Sequence, residues 1–147
     1  MVKATDSTIK ALVDDALREH GIGVDLNFID TSEVTDMSEL FRNTKFIGDI
    51  SKWNTSKVTD INYMFYSSVF NGDLSDLDMS NVRRADKAFM HSRFTGDLSK
   101  WKFNIENPES IFKGSKFCGH CNGKWYKNGN ELTESEFIEF QIEKLEL

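Results

Sequence analysis

The sequence predicts an α/β repeat solenoid of parallel strands, with one short helix per repeat and a helical cap at each end. Three observations predict it. The phrase Phe-x-Gly-Asp-(Ile/Leu)-Ser occurs at Phe46, Phe70 and Phe94, each copy 24 residues after the last. Further positions keep that register: Val34, Val58 and Val82; Phe41, Phe65 and Phe89; Trp53, Leu77 and Trp101; Ser32, Ser56 and Ser80. Such a step marks stacked units that share a continuous core. Finally, 12 Phe and 3 Trp stand against one Pro in 147 residues that are 39% hydrophobic, enough for one packed core and too little for two.

The register extends in both directions. Upstream, Val24-Asp25-Leu26-Asn27 occupies the place of Gly48-Asp49-Ile50-Ser51, and Ile29 that of Trp53. Downstream, Ile105, Phe112 and Phe117-Cys118-Gly119 continue the series at a step of 23. The chain therefore reads as a single domain, 1–147, with a cap helix at 1–21, repeats at 22–117 and a hairpin with a second cap helix at 118–147.

The elements follow in order. Ile9, Leu12, Val13, Ala16 and Leu17 form a helical stripe, with Asp6, Ser7 and Thr8 as N-cap candidates and Gly21 as the stop. Within each repeat, Leu74-x-x-Leu77-x-Met79 has the spacing of a leucine-rich-repeat strand. Leu26-x-x-Ile29-x-Thr31, Ile50-x-x-Trp53-x-Thr55 and Leu98-x-x-Trp101-x-Phe103 follow the same outline. Val58, Ile61, Met64 and Phe65 then predict a short helix, with Thr35 and Thr59 placed to cap that element in successive repeats. Gly48, Gly72 and Gly96 turn the chain back. After the repeats, Asn128-Gly129 predicts a hairpin, and Thr133-Glu-Ser-Glu136 is a capping box before a final helix.

The run Trp53-Asn-Thr-Ser-Lys-Val58-Thr-Asp-Ile61-x-x-Met64-Phe65, together with the Phe-x-Gly-Asp phrases, resembles the BspA-like leucine-rich repeat family over roughly Val24 to Phe117. Members of that family are largely bacterial surface proteins and lipoproteins. The resemblance implies adhesion or protein interaction and brings no catalytic residues with it.

Composition excludes some classes. A formal charge of −6 opposes general nucleic-acid binding. No apolar run approaches the ~18 residues of a membrane span. Met1-Val-Lys-Ala-Thr-Asp lacks the apolar region of a secretory signal, which points to the cytoplasm. No Ser/His/Asp arrangement, P-loop or dinucleotide fingerprint is present, so no enzyme activity and no cofactor are expected.

Four patterns remain as candidate sites. Cys118-Gly119-His120-Cys121 looks like a disulfide-isomerase motif, but the following Asn-Gly-Lys-Trp points to a turn rather than the helix that acidifies such a thiol. Both cysteines therefore read as structural, and zinc would need two further ligands. Asp49, Asp73 and Asp97 recur after each glycine; they suit either Ca²⁺ or, as favoured here, an Asx turn repeated with the repeat. Phe28, Lys52, Asp76, Asp78, Lys100 and Lys102 should project from an open strand face, with Lys52, Asp76 and Lys100 as a ladder of alternating sign. Arg83, Arg84 and Lys87, near His91 and Arg93, reverse the acidic character locally and form an alternative patch on the helical side.

The expected function is that of a non-enzymatic protein-interaction module that binds a protein partner through the open face. Two alternatives remain: a small intracellular inhibitor of phage or mobile-element origin, and a thiol–disulfide oxidoreductase acting through Cys118 and Cys121.

Overall fold

The computed structural model describes residues 1–105 and 110–146; residues 106–109 of the repeat span, and Leu147, lie outside the described residues. A short strand β1 (Val2–Lys3) leads into helix α1 (Ile9–His20), which buries Ile9, Val13 and Ala16. Thr8 is the N-cap residue, and the N–H of Gly21, at φ +88°, closes the helix on the Leu17 carbonyl. Strand β2 (Ile29–Asp30) pairs with β1 in parallel.

The repeats depart from the predicted leucine-rich-repeat solenoid. Among the described residues the helices are α1 and α2 (Glu134–Glu146), and neither lies in a repeat. The expected strands are turns as well, apart from β2. The N–H groups of Ile29, Trp53, Leu77 and Trp101 each donate to the carbonyl three residues back, at 3.0–3.2 Å. A strand with one helix per repeat is therefore not what forms.

The reason lies in the spacing. Val58, Ile61 and Met64 are three residues apart, and they are buried because the segment advances by three-residue turns. The N–H groups of Met64 and Tyr66 donate to the carbonyls of Ile61 and Tyr63. The N–H groups between them turn to the next unit: Ile61 to Arg84, Tyr63 to Asp86, Phe65 to Ala88 and Ser67 to Met90, at 2.7–3.0 Å. The preceding unit repeats this from Met37 to Asn43. A continuous helix would have kept all these donors to itself. Tyr63 and Ser67 adopt φ near +58° and +52°, as do their equivalents Glu39, Asn43, Lys87 and His91 at 56–60°. Left-handed residues end a right-handed helix at a cost of about 1–2 kcal/mol each. The bonds between units offset that cost.

Thr35 and Thr59 therefore cap no helix. The Thr59 N–H donates to the Thr35 carbonyl at 2.7 Å, and the Arg83 N–H to that of Thr59 at 2.8 Å. In the first unit, where no earlier carbonyl exists, Asp6 substitutes. Its carboxylate accepts from the N–H of Thr35 at 2.7 Å, the Thr35 hydroxyl at 2.6 Å and the N–H of Asp36 at 3.1 Å. These contacts hold its carboxyl below the usual aspartate range, the Thr35 hydroxyl contributing most.

Phenylalanine rings form the core. Phe41, Phe65, Phe89 and Phe112 stack in sequence at 5.5, 5.1 and 5.4 Å between centroids. Phe46 stacks on Phe70 at 5.4 Å and Phe94 on Phe117 at 6.4 Å. Each of these last four has its N–H bound by a hydroxyl two residues earlier, from Thr44, Ser68, Ser92 and Ser115. The indoles of Trp53 and Trp101 are buried, and their N–H groups donate to the Leu26 and Leu74 carbonyls at 2.9 and 2.8 Å.

The Phe-x-Gly phrase also has a physical reading in the packing of its ring. A Cβ on Gly72 would lie 2.6 Å from the Phe70 ring, and one on Gly96 2.7 Å from that of Phe94. The ring folds back over the bare Cα of the glycine. At Gly48 the added atom would also meet the Val24 carbonyl oxygen at 1.9 Å.

At the other end, β3 (Gly119–Cys121), β4 (Lys124–Lys127) and β5 (Asn130–Glu131) make an antiparallel sheet. The turn at Asn128 and Gly129, with φ +48° and +79°, is the hairpin the sequence predicts. Tyr126 covers the final Phe pair, 4.7 Å from Phe112 and 5.8 Å from Phe117. The capping box forms, with the Thr133 N–H on Glu136 at 3.1 Å and the Glu136 N–H on Thr133 at 3.2 Å. Here the expectation of a helical cap needs correction: the hairpin covers the core, while α2 packs on the hairpin, with Phe137 against Trp125 and Glu143 on Lys127 at 3.4 Å.

Two substitutions test this packing. Trp101→Ala should cost about 3–5 kcal/mol in urea unfolding, as large-to-small changes in a close-packed core do. A loss below ~1 kcal/mol would put the indole at the surface. Gly72→Ala should cost about 1–3 kcal/mol, because the Phe70 ring is held on several sides and cannot yield.

Candidate interaction face

The six residues expected on one face are placed by the three-residue turns that replace the strands. Ile29, Trp53, Leu77 and Trp101 point inward and are buried; their neighbours Phe28, Lys52, Asp76 and Lys100 are exposed. Asp78 and Lys102, on the other side of Leu77 and Trp101, are exposed too. All six are therefore open to solvent. The face is made of turns rather than an open strand surface.

The expected ladder forms in part. Lys100 reaches the Asp76 carboxylate at 3.0 Å, and this hydrogen bond, with the attraction of Asp76, raises the ammonium above its ordinary value. Lys52 forms no ion pair with Asp76 among the described residues; its backbone N–H donates to Asn27 Oδ1 at 2.9 Å. Asp78 is committed to its own turn, where it accepts from the Ser80 hydroxyl at 2.6 Å and N–H at 2.9 Å.

The row of Asp49, Asp73 and Asp97 also serves turns. Their carboxylates accept the N–H of Ser51, Ser75 and Ser99 at 2.7, 2.9 and 2.8 Å. These serine contacts hold all three carboxyls below the usual aspartate range; the backbone bond is foremost at Asp49 and the hydroxyl at Asp73 and Asp97. Among the described residues, no group of three or more His, Cys, Asp or Glu side chains is placed to hold a metal ion.

A depression lies at each end of the face, and neither was evident in the sequence. At one end a groove of about 260 Å³ separates α1 from the first unit, with Leu12, Ala16 and Phe28 as its apolar surface and Asp15 and Glu19 on its rim. Phe28 keeps 41% of its surface exposed. At the other end a cleft of about 320 Å³ runs between Asp97–Ser99 and the hairpin, lined by Cys118, His120 and Trp125. Both depend on how the caps dock, which the repeat pattern does not encode.

The two cysteines sit in different environments. Cys118 is exposed and receives the Asn128 N–H at 3.3 Å. Cys121 is buried at the end of β3, and burial pushes its thiol up to about 12. The position before it in the register is Leu98, also buried, so Cys121 acts as a small apolar side chain.

The residues of the alternative patch are unevenly committed. Arg84 lies 3.8 Å from Asp60, and Lys87 reaches the Tyr63 hydroxyl at 3.3 Å. Arg42 sits over the rings of Tyr63 and Tyr66 at 4.9 and 5.0 Å, a cation–π cluster missed in the sequence. Carrying the register onward at its 24-residue step would have placed Arg42 beside Tyr66 and Met90.

A comparison with protein-family models matches residues 11–125 to a family described as "Mycoplasma protein of unknown function, DUF285". This match overturns the expected membership of the BspA-like leucine-rich repeat family. No curated protein and no solved structure matches the chain.

The aspartate turns predict a pH dependence. Asp6, Asp30, Asp49, Asp73, Asp78 and Asp97 all have depressed carboxyls, so their contribution is complete above the ordinary aspartate range. It is lost as the pH falls through that range and below. The melting temperature should hold between about pH 7 and pH 5 and drop steadily toward about pH 3. A flat profile would mean the carboxylates are not held by these donors.

Proposed function

We propose that this chain, which belongs to the DUF285 family, is a non-enzymatic protein-interaction module that binds a protein partner through the face of Phe28, Lys52, Asp76, Asp78, Lys100 and Lys102. One observation carries the reading: positions 28, 52, 76 and 100 are exposed in successive units while the next position in each is buried. Side chains there vary freely without touching the core, as they do on binding faces of repeat proteins. The groove beside Phe28 supplies a place for an apolar anchor of the partner. No described helix is long and apolar enough to cross a membrane.

The segment around Cys118 and Cys121 forms strands β3 and β4 joined by a turn rather than the start of a helix that would acidify the first thiol, and this supports the reading over a thiol–disulfide enzyme. The inhibitor alternative has no feature of its own in the structure.

The test is affinity capture from the source cell with the wild-type chain and two charge-reversal variants, followed by a binding titration of the captured protein. Lys100→Glu with Lys102→Glu should weaken the complex about tenfold or more while shifting stability by less than ~1 kcal/mol, since both side chains are exposed. Arg83→Glu with Arg84→Glu and Lys87→Glu should leave that complex intact. The reverse outcome would move the interface to the other patch. Measurable insulin reduction would favour the enzyme instead.

A further inference from the structure

We propose that a second face, built from His91, Arg93, Lys113 and Lys116, docks an acidic segment of another protein. The proposal is independent of the first face.

The register brings these residues together across the last two units. The His91 N–H donates to the Lys113 carbonyl at 2.9 Å, which sets the two chains side by side. Arg93 precedes Phe94 and Lys116 precedes Phe117, and these two rings stack at 6.4 Å. Ser92 and Ser115 bind the N–H of those phenylalanines in the same way, at 3.4 and 3.2 Å, so Arg93 and Lys116 leave equivalent turns in parallel. Neighbouring chains so bonded lie about 5 Å apart.

All four side chains are exposed. Among the described residues, no carboxylate forms an ion pair with Arg93, Lys113 or Lys116. Lys10, Arg18, Arg42, Lys57 and Lys100, by contrast, each have a carboxylate partner. The His91 ring is held between two supports. It meets Tyr66 edge-on at 5.7 Å, and it occupies the space beside Gly114, where a Cβ would fall 2.3 Å from Nδ1. An imidazole is thereby fixed among three mutually repelling cations.

A carboxylate placed between Arg93 and Lys116 would replace that repulsion with two attractions, which strengthen once the groups are desolvated. An acidic protein segment suits the face better than nucleic acid. The patch spans only two units, Asp97 follows four residues after Arg93, and the whole molecule repels a phosphate backbone at long range.

The experiment uses a fluorescent polyglutamate peptide of about twelve residues, titrated by anisotropy at about 20 mM and about 150 mM salt. Wild type should bind, and more weakly at the higher salt. Arg93→Glu with Lys113→Glu and Lys116→Glu should lose about tenfold or more, whereas Lys100→Glu with Lys102→Glu should stay within about twofold. The same three positions changed to Gln give a second reading if the Glu variant fails to fold, with a loss of at least about threefold expected. Absence of peptide binding at low salt overturns the proposal. So does an equal loss in the Lys100/Lys102 variant, an unaffected Gln variant, or tighter binding of an oligothymidylate of the same length.

Discussion

Alternate backbone N–H groups in the repeats donate to the unit that follows, and the rest of the molecule depends on that division. The donors in between close three-residue turns within the unit. A chain that spends half its donors outward cannot be helical, and it must place a left-handed residue wherever the direction changes. In return it fixes the distance to its neighbour and brings rings of successive units into contact from Phe41 to Phe112. Hydrogen bonding and aromatic stacking thus enforce one register. Neither would hold if a single residue slipped.

That register also decides what reaches solvent. Because Trp53, Leu77 and Trp101 are locked inward, the side chains one residue before them form a row whose chemistry is free. The same logic brings Arg93 beside Lys116 in adjacent units although 23 residues separate them in sequence. Acidic side chains are treated differently. Most of the aspartates on these surfaces are tied to serine donors two residues on, which keeps them charged and stiffens the turns. Cations are tied down less often, so an acidic molecule presents its lysines and arginines as the more available charges.

Much of the core was legible in the sequence. The repeat of Phe, Val and Trp identified the buried positions, the hairpin at Asn128-Gly129 and the capping box at Thr133. The secondary structure was not legible, for a definite reason. Apolar residues at Val58, Ile61 and Met64 fit a helical face and a run of three-residue turns equally well. Left-handed Tyr63 and Lys87 carry no signature that would separate the two, since neither is Gly or Asn. Beyond the turn expected of them, Gly72 and Gly96 mark ring contacts that the sequence did not disclose. The two end grooves depend on the docking of α1 and the hairpin, which no periodic pattern describes. The Asp6 contact is of this kind as well, a bond across 29 residues from a side chain that reads locally as a helix cap.

Asp6 and β1 have a consequence for how the molecule behaves among copies of itself. Val2 and Ala4 donate to the carbonyls of Phe28 and Asp30, while Asp6 takes the donors of Thr35 and Asp36. Without them the first unit would present a row of unsatisfied donors and acceptors matched to the other units of the same chain. Such an edge is a template for end-to-end growth into fibres. Residues 1–6, which bury little apolar surface apart from Ala4, therefore cover that edge chiefly through hydrogen bonds rather than through packing.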